Sequence, residues 1–196
     1  MSIEFYNINS EEFFKNTVSA DMSEALEEFL RYVKPQGKIL DAGCGSGRDT
    51  LYFLNKGLDV VSLDASDEMV RLSSELTGQK TIKMRFQDIR FNGEFDGVWA
   101  CASLLHVSRD EIYIVIQRIA NSLKSEGIFY ASFKYGDGEI IRDGRLFNSY
   151  NEVTLKSLIE NHKDLTIIKV WKTQDVRQDR KDEFWINILC KKYKPY

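Results

Sequence analysis

Apolar residues along this chain fall into two recurring patterns, which predict alternating helices and strands. Apolar positions at spacings of three and one predict helices over residues 22–33, 48–56, 66–76, 112–123 and 153–159. Short runs rich in apolar, β-branched and aromatic residues predict strands over residues 38–42, 58–64, 81–86, 95–102, 127–133, 165–172 and 183–192. Because the two kinds of segment alternate up to residue 133, we expect a parallel sheet with helices on both faces.

The end of the chain departs from this alternation. No helical pattern separates the last two runs, which predicts an antiparallel member in the sheet. The predicted fold class is therefore α/β, with a doubly wound sheet of seven strands, mostly parallel, and an antiparallel last strand. The length of 196 residues predicts a single domain. We divide it into an N-terminal helical cap (residues 1–34), a core (38–134) and a region with a loop, a helix and the strand pair (135–196).

A long connection, residues 134–151, follows the fifth predicted strand. It is rich in glycine and charge and exceeds the roughly 2 to 6 residues usual between such elements. Two interpretations stay open: a lid over a substrate, or a solvated loop.

Charge and hydropathy narrow the class of protein. The 27 Lys and Arg nearly balance the 30 Asp and Glu, so no basic field favours nucleic acid as a partner. We interpret Lys191, Lys192 and Lys194 as a solvated basic tail. No apolar stretch approaches the ~20 residues of a membrane helix, and the first residues are acidic where a signal peptide would be basic. We expect a soluble, cytoplasmic protein with no membrane partner.

The three cysteines are too few and too scattered for a disulfide framework or a zinc site, so we expect reduced thiols and no metal. Cys101 and Cys190 lie in apolar runs and are predicted to be core. Cys44 is interpreted as a small space-filling residue rather than a nucleophile. His162 is interpreted as a surface capping residue at the end of a helix.

The strongest local signal is the segment DAGCGSG at residues 41–47, between the first predicted strand and a helix. Glycines there let the backbone approach a ligand, and free N–H groups at the helix start face it. Asp64 ends the next strand, 21 residues after Gly43, where an acid can bind ribose hydroxyls. The third glycine stands in the fifth place of the dinucleotide fingerprint and Arg48 in the sixth, which disfavours NAD.

The segment ILDAGCGSGRDTLYFLNKGLDVVSLDAS resembles the first and second motifs of class I S-adenosylmethionine (SAM)-dependent methyltransferases. The resemblance continues in QDI at residues 87–89, FDGVWACASLLHV at 95–107 and LKSEGIFYASF at 123–133. Within that superfamily the chain is similar to small bacterial methyltransferases of the tellurite-resistance type. The resemblance implies a Rossmann-like fold and SAM as the cofactor.

The resemblance also implies which residues contact each part of SAM. The glycine segment would pass beneath the methionine part, with Asp41 near its ammonium group. Asp64 would hold the ribose diol, Asp88 and the Ile89 backbone would contact adenine, and Met69 would pack on the adenine face. The implied cofactor-binding residues are Asp41, Gly43, Cys44, Gly45, Gly47, Asp64, Ala65, Ser66, Met69, Gln87, Asp88, Ile89, Ala102, Ser103 and Leu104.

Candidate residues for the methyl acceptor lie at the predicted mouth of the sheet. His106 follows the fourth strand and could act as a general base, although a loop histidine bonded to backbone is the alternative. Arginines near the site could hold a carboxylate or phosphate, or could be solvated. The candidate catalytic residues are His106, Arg145 and Tyr150, and the candidate substrate-binding residues are Tyr6, Arg142, Arg177 and Arg180.

The expected activity is in-line transfer of a methyl group to a small molecule, which could be anionic. Two alternatives stay open: an RNA or protein methyltransferase, and a SAM-binding module without catalysis. The motifs encode neither the acceptor nor the oligomeric state.

Overall fold

The computed structural model describes residues 2–177 and 180–193. Its strands are β1 (Lys38–Ala42), β2 (Asp59–Asp64), β3 (Ile82–Lys83), β4 (Phe95–Ala100), β5 (Leu123–Lys134), β6 (Gly138–Arg142), β7 (Arg145–Ser149), β8 (Leu165–Gln174) and β9 (Phe184–Lys192). Its helices are α1 (Ser2–Ile8), α2 (Ser10–Thr17), α3 (Ser23–Leu30), α4 (Arg48–Asn55), α5 (Asp67–Thr77), α6 (Arg109–Ser122) and α7 (Glu152–Glu160).

Seven strands form one sheet in the order β3-β2-β1-β4-β5-β9-β8. β9 runs antiparallel to its neighbours β5 and β8, and the other neighbouring strands are parallel. The predicted seven-stranded, mostly parallel sheet with an antiparallel last strand is therefore confirmed. Because β1 lies between β2 and β4, the chain reverses its direction of winding there, which is where such sheets bind ligands.

The sheet is buried on both faces, as its apolar strands predict. Alternate residues of a strand point to opposite faces, so Leu40 packs in one core cluster and Ile39 in the other. Residues of α6 and α7 cover the first face, and residues of α3 and α4 cover the second. On the second face Trp99 stacks on Tyr130 with ring centroids 3.9 Å apart.

Side-chain caps lie at the starts of α5 and α7. Ser66 is the N-cap of α5, and its Oγ accepts a hydrogen bond from the backbone N–H of Met69 at 3.2 Å. Asn151 and Thr154 form a reciprocal capping box at the start of α7. No helix of the described ranges is both long and apolar enough to cross a bilayer.

The connection over residues 134–151, for which the sequence predicted no helix or strand, contains two strands. β6 and β7 form a two-stranded hairpin there. Asp143 and Gly144 make its turn, both with positive φ (51° and 71°), as a two-residue hairpin turn requires.

Two element boundaries also differ from the prediction. β5 begins at Leu123, directly after α6, whereas the predicted strand begins at residue 127. The third strand is only Ile82–Lys83, and Phe86–Asp88 forms a short 3-10 turn instead. At the C-terminal end Lys192 donates to the carbonyl of Leu123 at 2.7 Å, so it is not part of a solvated tail. Lys191 pairs with Glu126, and Lys194 lies outside the described residues.

Helix α1 joins two distant parts of the chain. The Oδ1 of Asn7 accepts from Ser66 Oγ at 2.6 Å, which ties α1 to the start of α5. At its other end Ser2 Oγ accepts from the backbone N–H of Leu146 at 3.1 Å, which ties α1 to the hairpin. α1 therefore bridges the space above the carboxyl ends of the strands.

Asp96 holds the amino-terminal ends of β1 and β4 together. Its carboxylate accepts from the backbone N–H of Lys38 at 2.8 Å and pairs with Lys34 and Lys124, each at 2.9 Å. Burial acts to raise the pKa of Asp96, but these partners outweigh it and lower the pKa to about 2.

The stabilisation from Asp96 should be present above about pH 4, its unfolded pKa, and lost as pH falls through about 2. We expect Asp96→Asn to lower the free energy of unfolding by about 1 kcal/mol at neutral pH and to weaken its dependence on pH between about 4 and 2. Urea unfolding across this range measures the effect, with the exposed Asp110→Asn as control. An unchanged pH dependence would contradict the role of Asp96.

Candidate active site

The carboxyl ends of β1, β2 and β4 meet at one edge of the sheet because the three strands are parallel. The segments that follow them are residues 43–47, 65–66 and 101–106, and all three border one cavity of about 1130 Å³. Helix α1 and strand β7 border the same cavity. The predicted site residues that line it are Tyr6, Asp41, Gly43, Cys44, Gly45, Asp64, Ala65, Ser66, Met69, Gln87, Ala102, Ser103, His106, Arg145, Arg177 and Arg180.

The glycine segment turns from β1 into α4 with left-handed backbone. Gly43 and Gly45 have φ of +78° and +54°. A Cβ on Gly43 would lie 2.5 Å from the Cβ of Ser103, so a side chain cannot fit there. Gly47, with φ of +83°, packs against Ser73 and does not line the cavity. The absence of a side chain at Gly47 lets α4 approach α5. Because Gly47 does not line the cavity, this placement does not support the predicted contact between Gly47 and the cofactor.

Asp64 fixes the glycine segment from the end of β2. Its Oδ2 accepts from the backbone N–H of Gly45 at 3.0 Å, and its Oδ1 accepts from that of Ser66 at 2.9 Å. Burial raises the pKa of its carboxyl above the ordinary value, although these N–H groups oppose the rise. A carboxylate with two fixed donors still has free lone pairs that can accept from a diol.

Acidic side chains surround the glycine segment. Asp41 is buried and accepts from Thr50 Oγ1 at 2.6 Å. Burial raises the pKa of Asp41, and the Asp49 carboxylate raises it further. Burial likewise raises the pKa of the Cys44 thiol, which supports its interpretation as a space-filling residue. A cationic ligand in this part of the cavity would be stabilised by these acids.

His106 lies in a short turn after β4 and contacts two elements at once. Its Nδ1 is 2.6 Å from the carbonyl oxygen of Leu146, and its Nε2 is 2.7 Å from the hydroxyl of Tyr6. Burial lowers the pKa of His106 to about 4, and nearby Arg145 also lowers it. The structure therefore brings three of the predicted acceptor-side residues together at the mouth of β4.

Basic side chains line the opposite part of the cavity, towards β5, β7 and β8. Lys134 pairs with Asp175 at 3.2 Å, and Arg177 pairs with the same carboxylate at 2.7 Å. Arg145 stacks on the ring of Phe5, with 4.0 Å between Cζ and the ring centroid. The cavity thus has carboxyl groups at the glycine segment and, on the opposite side, Arg145 together with Lys134 and Arg177, which are paired with Asp175.

Several predicted site residues lie elsewhere. Tyr150 is buried against Phe133, and Asn148 donates to its hydroxyl at 3.0 Å, so it is not a cavity residue. Arg142 is exposed on the hairpin and does not line the cavity either. Arg142 lies on β6, whose residues are largely exposed, and Tyr150 follows β7 and packs in the core, so neither is placed to contact a ligand in the cavity.

The adenine contacts predicted after β3 are only partly placed at the cavity. Asp88 is on the exposed surface, paired with Arg85 at 2.8 Å, and does not line the cavity, whereas its neighbour Gln87 does. Ile89 and Leu104 are buried in the core. The short 3-10 turn at Phe86–Asp88 explains this difference, because it turns the Asp88 side chain outwards.

The sequence-based prediction missed some residues of the site and placed others differently from the structure. Arg48 lines the cavity and donates two hydrogen bonds to the Asp49 carboxylate, at 2.6 and 2.9 Å. It also donates to the carbonyl of Thr17 at 3.2 Å. Ala102 has φ of 50°, a strained backbone of the kind found at functional sites. Cys101 packs against the second core cluster, as predicted, and also lines the cavity, and Cys190 is buried as predicted. His162 is buried against Tyr113 rather than on the surface.

Within the described ranges, no three His, Cys, Asp or Glu side chains are grouped so that they could hold a metal ion.

Comparison with known proteins agrees with this site. Residues 40–131 match the family model of a methyltransferase domain, and this segment contains the glycine turn, Asp64 and His106. An uncharacterized methyltransferase of Staphylococcus carnosus (strain TM300) is 29% identical over 119 residues, which are 57% of this chain and 58% of that protein. The chain spans about half the length of the curated relatives it matches.

Solved structures share the fold over nearly the whole chain. A Burkholderia thailandensis 1,6-didemethyltoxoflavin-N1-methyltransferase, solved with 1,6-didemethyltoxoflavin and S-adenosylhomocysteine, superposes with a TM-score of 0.80 at 20% identity, over 98% of this chain and 88% of that one. The cyclase SpnF superposes with a TM-score of 0.77 at 14% identity, over 99% of this chain and 96% of that one. The fold is that of the Rossmann-like SAM-dependent methyltransferases.

Proposed function

We propose that this chain is a SAM-dependent methyltransferase that acts on a small molecule able to carry negative charge. The observation that carries the proposal is the Asp64 carboxylate, which lies at the end of β2 within hydrogen-bond distance of Gly45 and borders the same cavity as the glycine segment. An acid at this point is placed to accept from both hydroxyls of a ribose.

The residues present fit SAM by size and by charge. A cavity of about 1130 Å³ exceeds the ~300–1000 Å³ that a drug-sized ligand occupies, so it has room for the cofactor and a small acceptor. Asp41 and Asp64 border one part of the cavity, and an ammonium or sulfonium group bound there would favour their ionised forms against the effect of burial. In this proposal Met69 packs on adenine and Gln87, rather than Asp88, lines the adenine end.

When bound, SAM supplies an activated methyl group on a sulfonium, so the chain need only orient the acceptor and exclude water. Helix α1 and the β6–β7 hairpin cover the cavity and are joined by the bond from Leu146 N–H to Ser2 Oγ. The basic residues near β5 and β7 would hold an anionic acceptor in line with the methyl group.

The experiment that tests the activity uses SAM with an isotope-labelled methyl group. The chain is incubated separately with a small-molecule filtrate, bulk RNA and a protein fraction, and transferred label is counted. We expect label in the small-molecule fraction, and much less of it with Asp64→Ala when SAM is below saturation. Label only in RNA or protein would replace the proposed acceptor class. Bound cofactor without transfer to any fraction would favour a SAM-binding module, a use of the fold consistent with its occurrence in a protein named as a cyclase.

The narrower assignments rest on the sequence alone. Membership of the tellurite-resistance type, the division into cap, core and C-terminal region, and a cytoplasmic location remain proposals.

A further inference from the structure

The contacts of His106 define its protonation state. A carbonyl oxygen can only accept, so the Nδ1 that lies 2.6 Å from the Leu146 oxygen must carry the hydrogen. In the neutral imidazole the Nε2 then has the lone pair, and the Tyr6 hydroxyl, 2.7 Å away, donates to it. His106 is therefore held as a base whose only free lone pair is directed at Tyr6.

The surroundings keep this base neutral. Buried among Tyr6 of α1 and Phe147 of β7, His106 has its pKa lowered to about 4, and Arg145 contributes to this. The phenol of Tyr6 faces Arg145, Asp64 and Arg177, and burial raises its pKa despite the two arginines. At neutral pH the pair is an uncharged phenol donating to an uncharged imidazole.

Arg145 is the cation placed to stabilise a negative acceptor beside this pair. Its Nε is buried and has no hydrogen-bond partner in the described part of the chain. Its nearest acid is Asp143, at 4.0 Å, and that carboxylate is exposed. Lys134 and Arg177, by contrast, share the buried Asp175. The Arg145 side chain lines the cavity and hydrogen-bonds the Tyr6 side chain, so a negatively charged acceptor beside Tyr6 would lie close to this cation.

We propose that Tyr6 and His106 form a proton relay and that Arg145 stabilises the conjugate base, so that the acceptor is a weakly acidic hydroxyl or ring N–H on a small aromatic compound. The inference rests on the proposed methyltransferase function. Tyr6 and Phe13 line the cavity and form an edge-to-face contact there, a surface suited to a planar ring.

The step balances in atoms and charge. The acceptor oxygen or nitrogen forms a bond to the methyl carbon as the carbon–sulfur bond breaks, and that bond's electron pair stays on sulfur. The acceptor proton passes to Tyr6 Oη, and the Tyr6 proton passes to His106 Nε2. The sulfonium charge disappears as the imidazolium charge forms, so the net charge of the closed cavity does not change. His106 then releases its proton to water, which its low pKa favours.

The test uses 4-nitrophenol as the probe acceptor, with Tyr6→Phe, His106→Gln and Arg145→Gln, and with the exposed Tyr113→Phe as control. Tyr6→Phe keeps the ring and its contacts. His106→Gln can still accept from Tyr6 but cannot take the proton. For the wild type and Tyr113→Phe we expect a methylation rate that is level between about pH 5 and the pKa of the probe. For Tyr6→Phe and His106→Gln we expect about a tenfold rise per pH unit, since only pre-ionised probe reacts.

A second readout does not depend on turnover. In the complex with S-adenosylhomocysteine, the visible absorbance of bound nitrophenolate should show a pKa at least one unit below that of the free probe. Arg145→Gln should return the pKa of the bound probe to the free value, which is about a tenfold change in its ionisation constant. Level rates in Tyr6→Phe would overturn the relay, and an unshifted or unbound probe would overturn the acceptor class. Failure of the protein to bind S-adenosylhomocysteine by calorimetry would instead overturn the proposed function itself.

Discussion

Replacing Gly43 with alanine is expected to abolish SAM binding and to lower the free energy of unfolding by about 3 kcal/mol. The added Cβ would lie 2.5 Å from Ser103 Cβ and 2.9 Å from Phe86 Cζ, at a residue with φ of +78°. Ser103 cannot easily move, because its Oγ donates to the Ala42 carbonyl at 2.8 Å. The glycine segment would have to shift away from the cofactor position. Urea unfolding and titration calorimetry measure the two effects.

Gly57→Ala is the matched control for this variant. Gly57 has φ of +79°, but a Cβ there would meet no atom within 4 Å. The Gly57→Ala variant should therefore lose only about 1 kcal/mol of unfolding free energy, from the strain of an alanine in left-handed backbone. Its affinity for SAM should not change. Equal losses of stability in the two variants would show that contact with Ser103 and Phe86 is not what excludes a side chain from Gly43.

Asp64→Ala is expected to weaken binding of S-adenosylhomocysteine about 100-fold. Two hydrogen bonds from ribose hydroxyls to a carboxylate would be lost, each worth about 1.5 kcal/mol or more. The Gly45 and Ser66 N–H groups that Asp64 now accepts from face the cavity and can bind water instead, so the fold should persist. Titration calorimetry measures the affinity, and circular dichroism checks the fold.

Asp67→Ala is the control for Asp64, since it removes a nearby carboxylate at the start of α5. Asp67 is exposed and pairs with Lys83 at 2.7 Å. Its loss should change affinity by less than about twofold, because exposed ion pairs contribute little. A comparable weakening by both variants would mean that general charge, rather than a specific contact of Asp64, determines affinity.

The fold was largely predictable because local patterns and global topology agree. Uninterrupted apolar strands indicate a sheet covered on both faces, and Ser66 indicates the start of α5, as the structure has it. The hairpin was missed although Asp143-Gly144 between two apolar pairs is a typical two-residue hairpin turn. Its strands form a separate small sheet, so the alternation of the main sheet gave no indication of them.

The site was predictable where it depends on backbone and less so where it depends on side-chain direction. Gly43, Gly45 and Asp64 follow from the order of strands, because parallel strands bring their carboxyl ends together. Asp88 was misplaced because a 3-10 turn orients its side chain towards Arg85. The pairing of Tyr6 with His106 joins residues 100 apart in sequence, which no local spacing can reveal.

A crystal structure grown with S-adenosylhomocysteine tests the central claim most directly. Our account predicts the ribose hydroxyls within hydrogen-bond distance of the Asp64 carboxylate, the amino-acid part above Gly43 and Gly45, and the sulfur facing the Tyr6–His106 pair. Density for the nucleoside elsewhere on the surface, or a cavity closed to it by α1 and the hairpin, would contradict the account.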